Sequence, residues 1–290
     1  MSYCRSSSLL CIALVLLAGG AASGPAWAGQ PEGIAAGLVA HKALYDIDLV
    51  ATHSGSQILN ISGQMSYEWK PDCDGWLTNH KFKLHYEYAD SPGMRIASDF
   101  STFETFDGKS FNYTSRRTRD GDMYQQIVGH ADLGASGGQA IYRMPENIKY
   151  DLVKGTLFPM AHTVELIKHA EKGDKFYSAQ IFDGSDEEGP IEINSFIGKE
   201  TKPRAGLMDN PKIDKSIIDG KAWKVRMAVF PVKDREEESD YEMSMDFHEN
   251  GVISDMLIEY DDFSVKQKLV ALEKIPAESC GAEAAAPKKP

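Results

Sequence analysis

The stretch from Trp76 to Tyr88 restricts the possible folds more than any other part of the chain. Along its whole length, aromatic, aliphatic or small uncharged residues alternate with residues that are mostly charged or polar. A period of two places these two sets on opposite faces of a β-strand. One apolar and one charged face are typical of an antiparallel sheet that packs on one side and meets water on the other.

Similar alternation recurs along the chain, and short turn sequences separate the runs. Asp107-Gly108, Asp120-Gly121 and Asn250-Gly251 are typical of β-hairpin turns. Closely spaced hairpins of this kind predict a barrel or a sandwich. We therefore predict a mainly β fold, an antiparallel meander of roughly a dozen strands or more, in a single domain over residues 41–280.

One segment, Pro159–Lys172, has helical rather than strand spacing. Pro159 suits the first turn of a helix, and Gly173 is placed to end it. The apolar stripe that includes Met160, Val164 and Ile167 predicts that this face packs on the sheet. The chain is therefore expected to insert one α-helix past the middle of the meander.

Residues 1–28 have the pattern of a secretory signal. One positive charge, Arg5, precedes a short apolar run, and small residues follow it as far as Ala28. We predict cleavage between Ala28 and Gly29, which leaves a flexible N-terminal arm over residues 29–40. The apolar run is shorter than the roughly 20 residues that a membrane span needs, so no transmembrane anchor is expected.

Export changes the interpretation of the cysteines. Cys4 and Cys11 would leave with the signal, so Cys73 and Cys280 would remain in an oxidising compartment. They can form one intramolecular pair, or they can be two unpaired structural thiols. The chain has no Cys-x-x-Cys redox motif, and two distant cysteines supply too few ligands for a zinc site.

The charge of the chain excludes several classes of partner. The net charge is −12, and loss of Arg5 with the signal makes it one unit more negative. Nucleic-acid binding depends on neutralising phosphates with Lys and Arg, so no nucleic acid partner is expected. The same charge argues against purely electrostatic attachment to anionic lipid headgroups.

Several patterns resemble catalytic or metal sites without completing them. Gly134–Gly138 matches the G-x-S-x-G pattern of a nucleophile elbow, but a strand rather than a helix follows it, which predicts a flexible glycine loop. His162, Glu165 and His169 share one helical face opposite the apolar stripe, which is interpreted as a solvated polar face rather than a metal site. We therefore predict neither catalytic residues nor a bound metal or other cofactor.

Two further candidates have simpler interpretations. The acidic loop Asp183–Glu188 could bind calcium, but it lacks the spacing of an EF-hand and is interpreted as a hairpin loop. His80 lies on the apolar face of the Trp76–Tyr88 strand. A histidine at such a position is more often a buried core residue with satisfied hydrogen bonds than a metal ligand, and we interpret His80 in this way.

Five short features occur in a fixed order between His41 and Cys280 and together cover nearly the whole of that stretch. They are His41–Tyr45 at the first strand, Cys73–Trp76, the helix entry Leu157–Pro159 with His162 and Thr163, the Asn250-Gly251 hairpin, and Cys280. Their order and spacing, which are more specific than any one of them, resemble the cell envelope integrity EipB family. This family comprises exported proteins of Gram-negative bacteria that long carried only a label of unknown function.

This resemblance implies a wound, open-barrel antiparallel sheet, a β-spiral, similar to the carriers that move lipoproteins through the periplasm. It implies a periplasmic location, a role in envelope integrity and stress resistance, and a disulfide bond between Cys73 and Cys280. The family has no established catalytic residues, so none can be transferred. The tail over residues 281–290 is expected to be disordered.

Two functions remain open after these inferences. The protein is interpreted first as a non-enzymatic scaffold or binding module for other cell envelope proteins. Alternatively, it carries a lipid or lipoprotein acyl chain on an apolar face that includes Trp76, Phe82, Leu84 and Tyr86. A carrier needs these side chains to face an accessible cavity, whereas a scaffold fills that space.

Overall fold

A single antiparallel sheet of fourteen strands forms most of the protein. A computed structural model describes residues 33–203, 205–233 and 238–276. The predicted signal, the cleavage position Ala28–Gly29, Cys280 and the tail over residues 281–290 lie outside these residues. Neighbouring strands in space follow the order β8-β7-β6-β5-β4-β3-β2-β1-β14-β13-β12-β11-β10-β9.

The strands are long in the first half of the chain and more variable in the second. Their bounds are β1 His41–Thr52, β2 Ile58–Pro71, β3 Gly75–Tyr88, β4 Met94–Thr105, β5 Ser110–Arg119, β6 Asp122–Gly134, β7 Gly137–Met144, β8 Lys149–Val153, β9 Phe176–Ile181, β10 Ile191–Thr201, β11 Ala222–Pro231, β12 Tyr241–His248, β13 Ile253–Glu259 and β14 Phe263–Lys274. The helices of the described residues are α1 Ile34–Gly37, α2 Pro159–Lys172 and α3 Ala205–Met208, with a 3-10 turn at Lys215–Ile217.

Strand β1 joins the two halves of the chain. On one side it pairs with β2, where His41 faces Trp69. On the other it pairs with the last strand, β14, where His41 faces Lys274. The sheet stays open, with β8 and β9 as its edges, which confirms the predicted mainly β, open meander.

Helix α2 has the bounds that its sequence pattern predicts. At its end Gly173 adopts a left-handed conformation, with φ of 81°, and its N–H bonds to the carbonyl of Ala170. Leu166, Ile167 and Ala170 are buried in a cluster with side chains of β9–β12. The helix therefore covers the second half of the sheet, as its apolar stripe requires.

A buried carboxyl group holds the start of α2. Glu104, on β4, accepts hydrogen bonds from the backbone N–H of Met160 at 2.7 Å and of Ala161 at 2.8 Å. Both donors belong to the first turn of α2, where backbone N–H groups have no partner inside the helix. Glu104 therefore links the first half of the sheet to the helix that packs on the second half.

The described part of the N-terminal arm is docked rather than free. After α1, the N–H of Val39 bonds to the carbonyl of Asn250 at 3.1 Å. Leu38 packs against apolar clusters that include Trp69 and Trp76. The expectation of a flexible arm is therefore wrong for residues 33–40, because apolar side chains within it reach the ends of the sheet.

Candidate ligand-binding cavity

The alternation of β3 places part of its apolar face on the wall of a cavity. Phe82, Leu84 and Tyr86 lie on this wall, and β3 is flanked by β2 and β4. The cavity has a volume of about 620 Å³ and lies between the first strands of the sheet and the β13–β14 turn. This volume falls within the range of roughly 300–1,000 Å³ that is typical of small-molecule sites.

The turns around the cavity entrance lie at one end of the sheet, called here the mouth end. In an antiparallel meander every second turn lies at the same end, which groups the turns at residues 53–57, 89–93, 120–121 and 260–262. Two hydrogen bonds join three of these turns. The N–H of His53 donates to the carbonyl of Asp262, and the N–H of Ala89 donates to the carbonyl of Gln57. The cavity is lined by residues of this end, including Ser56, Tyr88, Met94 and Tyr260.

Aromatic side chains form much of the wall near the entrance. Tyr260 and Phe263 have ring centroids 4.8 Å apart, and Tyr86 meets Phe263 edge to face at 6.4 Å. Burial, with smaller contributions from the neighbouring Tyr260, Tyr88, Tyr124 and Asp262, raises the pKa of Tyr86 to about 12. The Tyr86 hydroxyl is therefore neutral at neutral pH, and it can hydrogen-bond a ligand beside the aromatic and aliphatic part of the wall.

Arg117 places one cationic group on the cavity wall. Its Nη1 donates to Oε1 of Gln125 at 2.9 Å, and its Nη2 donates to the carbonyl of Ser185 at 2.8 Å. The buried Nε has no hydrogen-bond partner within the described part of the chain. Two of its five N–H donors thus fix the guanidinium in place, and its Nε–H is unused next to the space that a ligand would occupy.

The acidic loop Asp183–Glu188 packs against the sheet beside this arginine. The hydroxyl of Tyr142 donates to the carbonyl of Asp186 at 2.7 Å, and that of Tyr150 donates to the carbonyl of Glu187 at 2.6 Å. Burial raises the pKa of Asp183. The interpretation as a hairpin loop is confirmed, since the loop connects β9 to β10, but side-chain donors hold its carbonyls in place.

Trp76 does not belong to the cavity, although its strand position suggested that it does. It is buried at the opposite end of β3, where it stacks on Trp69 at 5.1 Å and meets Phe106 edge to face at 4.8 Å. Six residues of strand separate Trp76 from Phe82, a distance of about 20 Å. Of the four residues of the suggested ligand face, Phe82, Leu84 and Tyr86 are therefore brought together.

The face of α2 that carries His162 and His169 is packed rather than solvated, so that prediction is wrong. Tyr177 of β9 stacks on His169 at 4.2 Å and on His162 at 5.8 Å. His169 is also within 2.7 Å of Asp174, whereas Glu165 pairs with Lys168. The sequence could not show that an edge strand of the sheet covers this face.

The remaining candidates have structural roles. Gly134 ends β6 and Gly137 begins β7, so the glycine-rich stretch forms a tight hairpin between two strands. His80 packs edge to face on Tyr67, with centroids 4.7 Å apart. Across residues 33–203, 205–233 and 238–276, no three His, Cys, Asp or Glu side chains converge in an arrangement that could hold a metal ion.

Buried histidines should make the protein sensitive to mild acid. Burial lowers the pKa of His80, His162 and His248 to about 4, below the ordinary value of about 6.5. The unfolded chain therefore binds protons first, and we expect the free energy of unfolding to fall by several kcal/mol as the pH drops from about 6.5 to about 4. Urea unfolding midpoints measured across this range test the prediction.

A single variant isolates one histidine in that experiment. His162→Phe keeps a ring against Tyr177 but cannot be protonated, so its stability should fall less steeply with acid. An unchanged pH profile in this variant would contradict the assignment of His162 as a neutral buried group.

Several cavity residues have no signal in the sequence. Tyr260 and Phe263 flank the β13–β14 turn, roughly 180 residues from Phe82 along the chain, and only the pairing of β14 with β1 brings them to the same cavity. Arg117 stands in a strand of alternating polar residues and resembles any solvated arginine. Its position on the cavity wall follows from the β4–β5 register, where Arg117 faces Ser98.

Known proteins share this architecture. A family model described as EipB-like matches residues 32–276. The chain belongs to the EipB-like family. The cell envelope integrity protein EipB of Brucella abortus (strain 2308) is 31% identical over 256 residues, which cover 85% of this chain and 89% of the relative.

A solved structure agrees with the EipB-like assignment. The crystal structure of a beta-barrel-like protein of domain of unknown function DUF1849 from Brucella abortus superposes with a TM-score of 0.76 at 30% identity. The superposition covers 82% of this chain and 99% of the solved chain. In the part of the chain that the structure describes, none of the helices combines the length and apolar character needed to cross a bilayer.

Proposed function

We propose that the protein supports envelope integrity in the periplasm by binding the acyl chain of a lipid or lipoprotein, without catalysing a reaction. The cavity carries this proposal, because Phe82, Leu84 and Tyr86 line accessible space, while Leu84 and Tyr86 also pack against a buried aliphatic cluster behind the wall. Its apolar wall suits a hydrocarbon chain, and its tyrosine hydroxyls and Arg117 suit a polar or anionic end group. Membership in the EipB-like family supports the link to the cell envelope.

A different surface favours the scaffold function as a second candidate. Phe176 and Phe196 lie side by side on β9 and β10, 5.2 Å between centroids, and each is about half exposed. Strand β9 is also an edge of the sheet; Leu157 pairs with its C-terminal end at Gln180 and Phe182, so a partner strand would have to add at the Phe176 end. An envelope protein that adds a strand here would use the family's sheet as a scaffold.

Native mass spectrometry of the protein purified from the periplasm tests acyl-chain binding directly. We expect a co-purifying lipid or acylated peptide, and saturable binding of a fluorescent fatty acid. Leu84→Asp places a charge on the cavity wall and should weaken fatty acid binding by tenfold or more, equivalent to about 1.4 kcal/mol. Val153→Asp, at an exposed apolar residue of β8 outside the cavity, is the matched control and should bind normally.

The contrary results are equally specific. Empty protein in repeated preparations, together with no fatty acid binding, would exclude the carrier function. Equal weakening by Leu84→Asp and Val153→Asp would place the bound probe elsewhere on the surface. Circular dichroism of both variants separates loss of binding from loss of folding.

A further inference from the structure

Large apolar side chains are exposed unevenly over the sheet. Of the eight large apolar side chains exposed in the described residues, five lie at the mouth end near turns, and they form what is called here the apolar rim. They are Val50 at 56% exposure, Leu59 at 64%, Met123 at 51%, Tyr124 at 47% and Met144 at 45%. Isolated exposed apolar residues are ordinary, but a group confined to one end of a fold indicates an interaction surface.

Breaks in the strand pairing coincide with three of these residues. The β1–β14 register shifts between Leu49 and Ala51, which leaves Val50 outside the pairing. Leu59 of β2 is likewise left out of the pairing with β3. Tyr124 of β6 is left out of the pairing with β5. A β-bulge of this kind re-aims a side chain out of the regular alternation. Three separate strands thus each have an unpaired apolar residue at the mouth end of the sheet.

Part of the apolar rim borders the entrance of the cavity. Tyr124 belongs to both, since it also lines the cavity wall. Val50 and Leu59 flank the β1–β2 turn, whose residues Ser56 and Gln57 form part of the entrance. A surface that covers the rim would therefore also close the cavity mouth, so the two features are continuous.

The chemistry of the rim fits a lipid surface. Its apolar side chains stand on separate hairpins around an opening, so each can insert by itself among lipid headgroups, where tyrosine is also favoured. Nearby charges have both signs, with Arg95 and Arg119 close to Asp120 and Asp122. Because the chain as a whole has a charge of −12, anionic lipids would repel it and zwitterionic lipids would not.

We propose that the apolar rim docks on the surface of a zwitterionic lipid bilayer and places the cavity mouth against it. An acyl chain can then move between bilayer and cavity without crossing water. This inference rests on the proposed acyl-chain binding and adds the surface through which the chain is exchanged.

Vesicle flotation tests the docking. Full-length protein purified without its signal is mixed with vesicles of phosphatidylcholine, and the bound fraction is measured after centrifugation. We expect binding that changes little between low and high salt, because apolar insertion is not screened. The double variant Leu59→Asp/Met123→Asp should lose at least about fivefold in the bound fraction, since each charge opposes insertion. Val153→Asp, of similar exposure at the opposite end of the sheet, should float like the unmodified protein.

Each other outcome overturns the docking. Absence of binding to phosphatidylcholine, or equal binding by the double variant, removes the apolar rim as a membrane surface. Binding only to anionic vesicles that is lost at high salt would show an electrostatic contact instead of apolar insertion. A concentration-dependent dimer in sedimentation that the double variant abolishes would show that a second copy covers the rim.

Measuring fatty acid binding in solution, without vesicles, distinguishes failure of the acyl-chain proposal from failure of the docking proposal. If the double variant binds the fluorescent fatty acid normally but fails to float, cavity and docking surface are separate functions of one protein. If fatty acid binding is absent while flotation persists, acyl-chain binding fails and the rim remains a membrane contact.

Discussion

Replacing Cys73 with serine is expected to lower the free energy of unfolding by roughly 2–4 kcal/mol while leaving the sheet content unchanged. A bond between Cys73 and Cys280 would close a loop of roughly 200 residues, and the chain-entropy model limits its contribution to about 5 kcal/mol. In a domain of this size the expected loss corresponds to a melting temperature lower by about 4–15 °C. Thermal unfolding followed by circular dichroism measures it.

The described residues support this pairing through reach. Cys73 lies in the β2–β3 turn, and the chain is described as far as residue 276, just past the hydrogen bond between Ile275 N–H and the carbonyl of Ala40. Strand β1 separates β14 from β2, so these two are about 10 Å apart. The end of β14 therefore lies at the same end of the sheet as the β2–β3 turn that carries Cys73.

Cys280→Ser is the matched control for this prediction. Both single variants and the double variant should be destabilised equally, because each removes the same bond. Intact mass without reductant should be lower than the fully reduced mass by two hydrogens. Destabilisation by Cys73→Ser alone, or a mass with both thiols free, would contradict the pairing.

Replacing Glu104 with alanine should destabilise the protein by about 2–5 kcal/mol. The change leaves the N–H groups of Met160 and Ala161 without their buried acceptor, and each unsatisfied donor costs about 1–3 kcal/mol. The side chain of Glu104 is only 2% exposed, so water cannot simply replace it. Urea unfolding at constant pH measures the loss.

Glu104 should also make the free energy of unfolding fall as the pH rises from about 4.5 through 8. Burial raises the pKa of Glu104 to about 8, against the two N–H bonds that lower it. The folded protein therefore keeps a proton that the unfolded chain releases near pH 4.5. We expect Glu104 to contribute stability that is complete below that pH and is lost as the pH rises through 8.

Two variants separate these effects. Glu104→Gln keeps one acceptor but does not titrate, so it should abolish the decline between neutral pH and pH 8, where the buried histidines no longer change charge. Glu87→Ala, an exposed glutamate on β3, is the matched control and should change stability by less than about 0.5 kcal/mol. A decline that persists in Glu104→Gln would refute the raised pKa.

The pH profile combines groups of opposite sign. His80, His162 and His248 oppose folding in acid, whereas Glu104 favours it, and three histidines outweigh one carboxyl group. Stability should therefore be greatest near neutral pH. Alternation predicted a buried His80, but it gave no sign that His162, His248 and Glu104 are buried, since Glu104 occupies an ordinary position in an alternating strand.

Local patterns in the sequence determined much of the fold. Hydrophobic alternation and turn residues predicted the strands other than β8, and Pro159 and Gly173 set both ends of α2. These signals work because a period of two or of 3.6, and a backbone that glycine alone adopts readily, are properties of neighbouring residues. Family resemblance through short motifs also requires no knowledge of contacts.

Only the tertiary structure decided which of these residues share a site. The pairing of β1 with β14 brings Tyr260 and Phe263 to Phe82, leaves Trp76 at the other end, and lets Glu104 reach α2. Contacts of this range depend on strand register over the whole sheet, which local preferences do not contain. Local patterns thus determined an antiparallel meander with one long helix, and the family resemblance implied its open form. Long-range pairing decided that one end of the sheet carries a cavity bordered by the apolar rim.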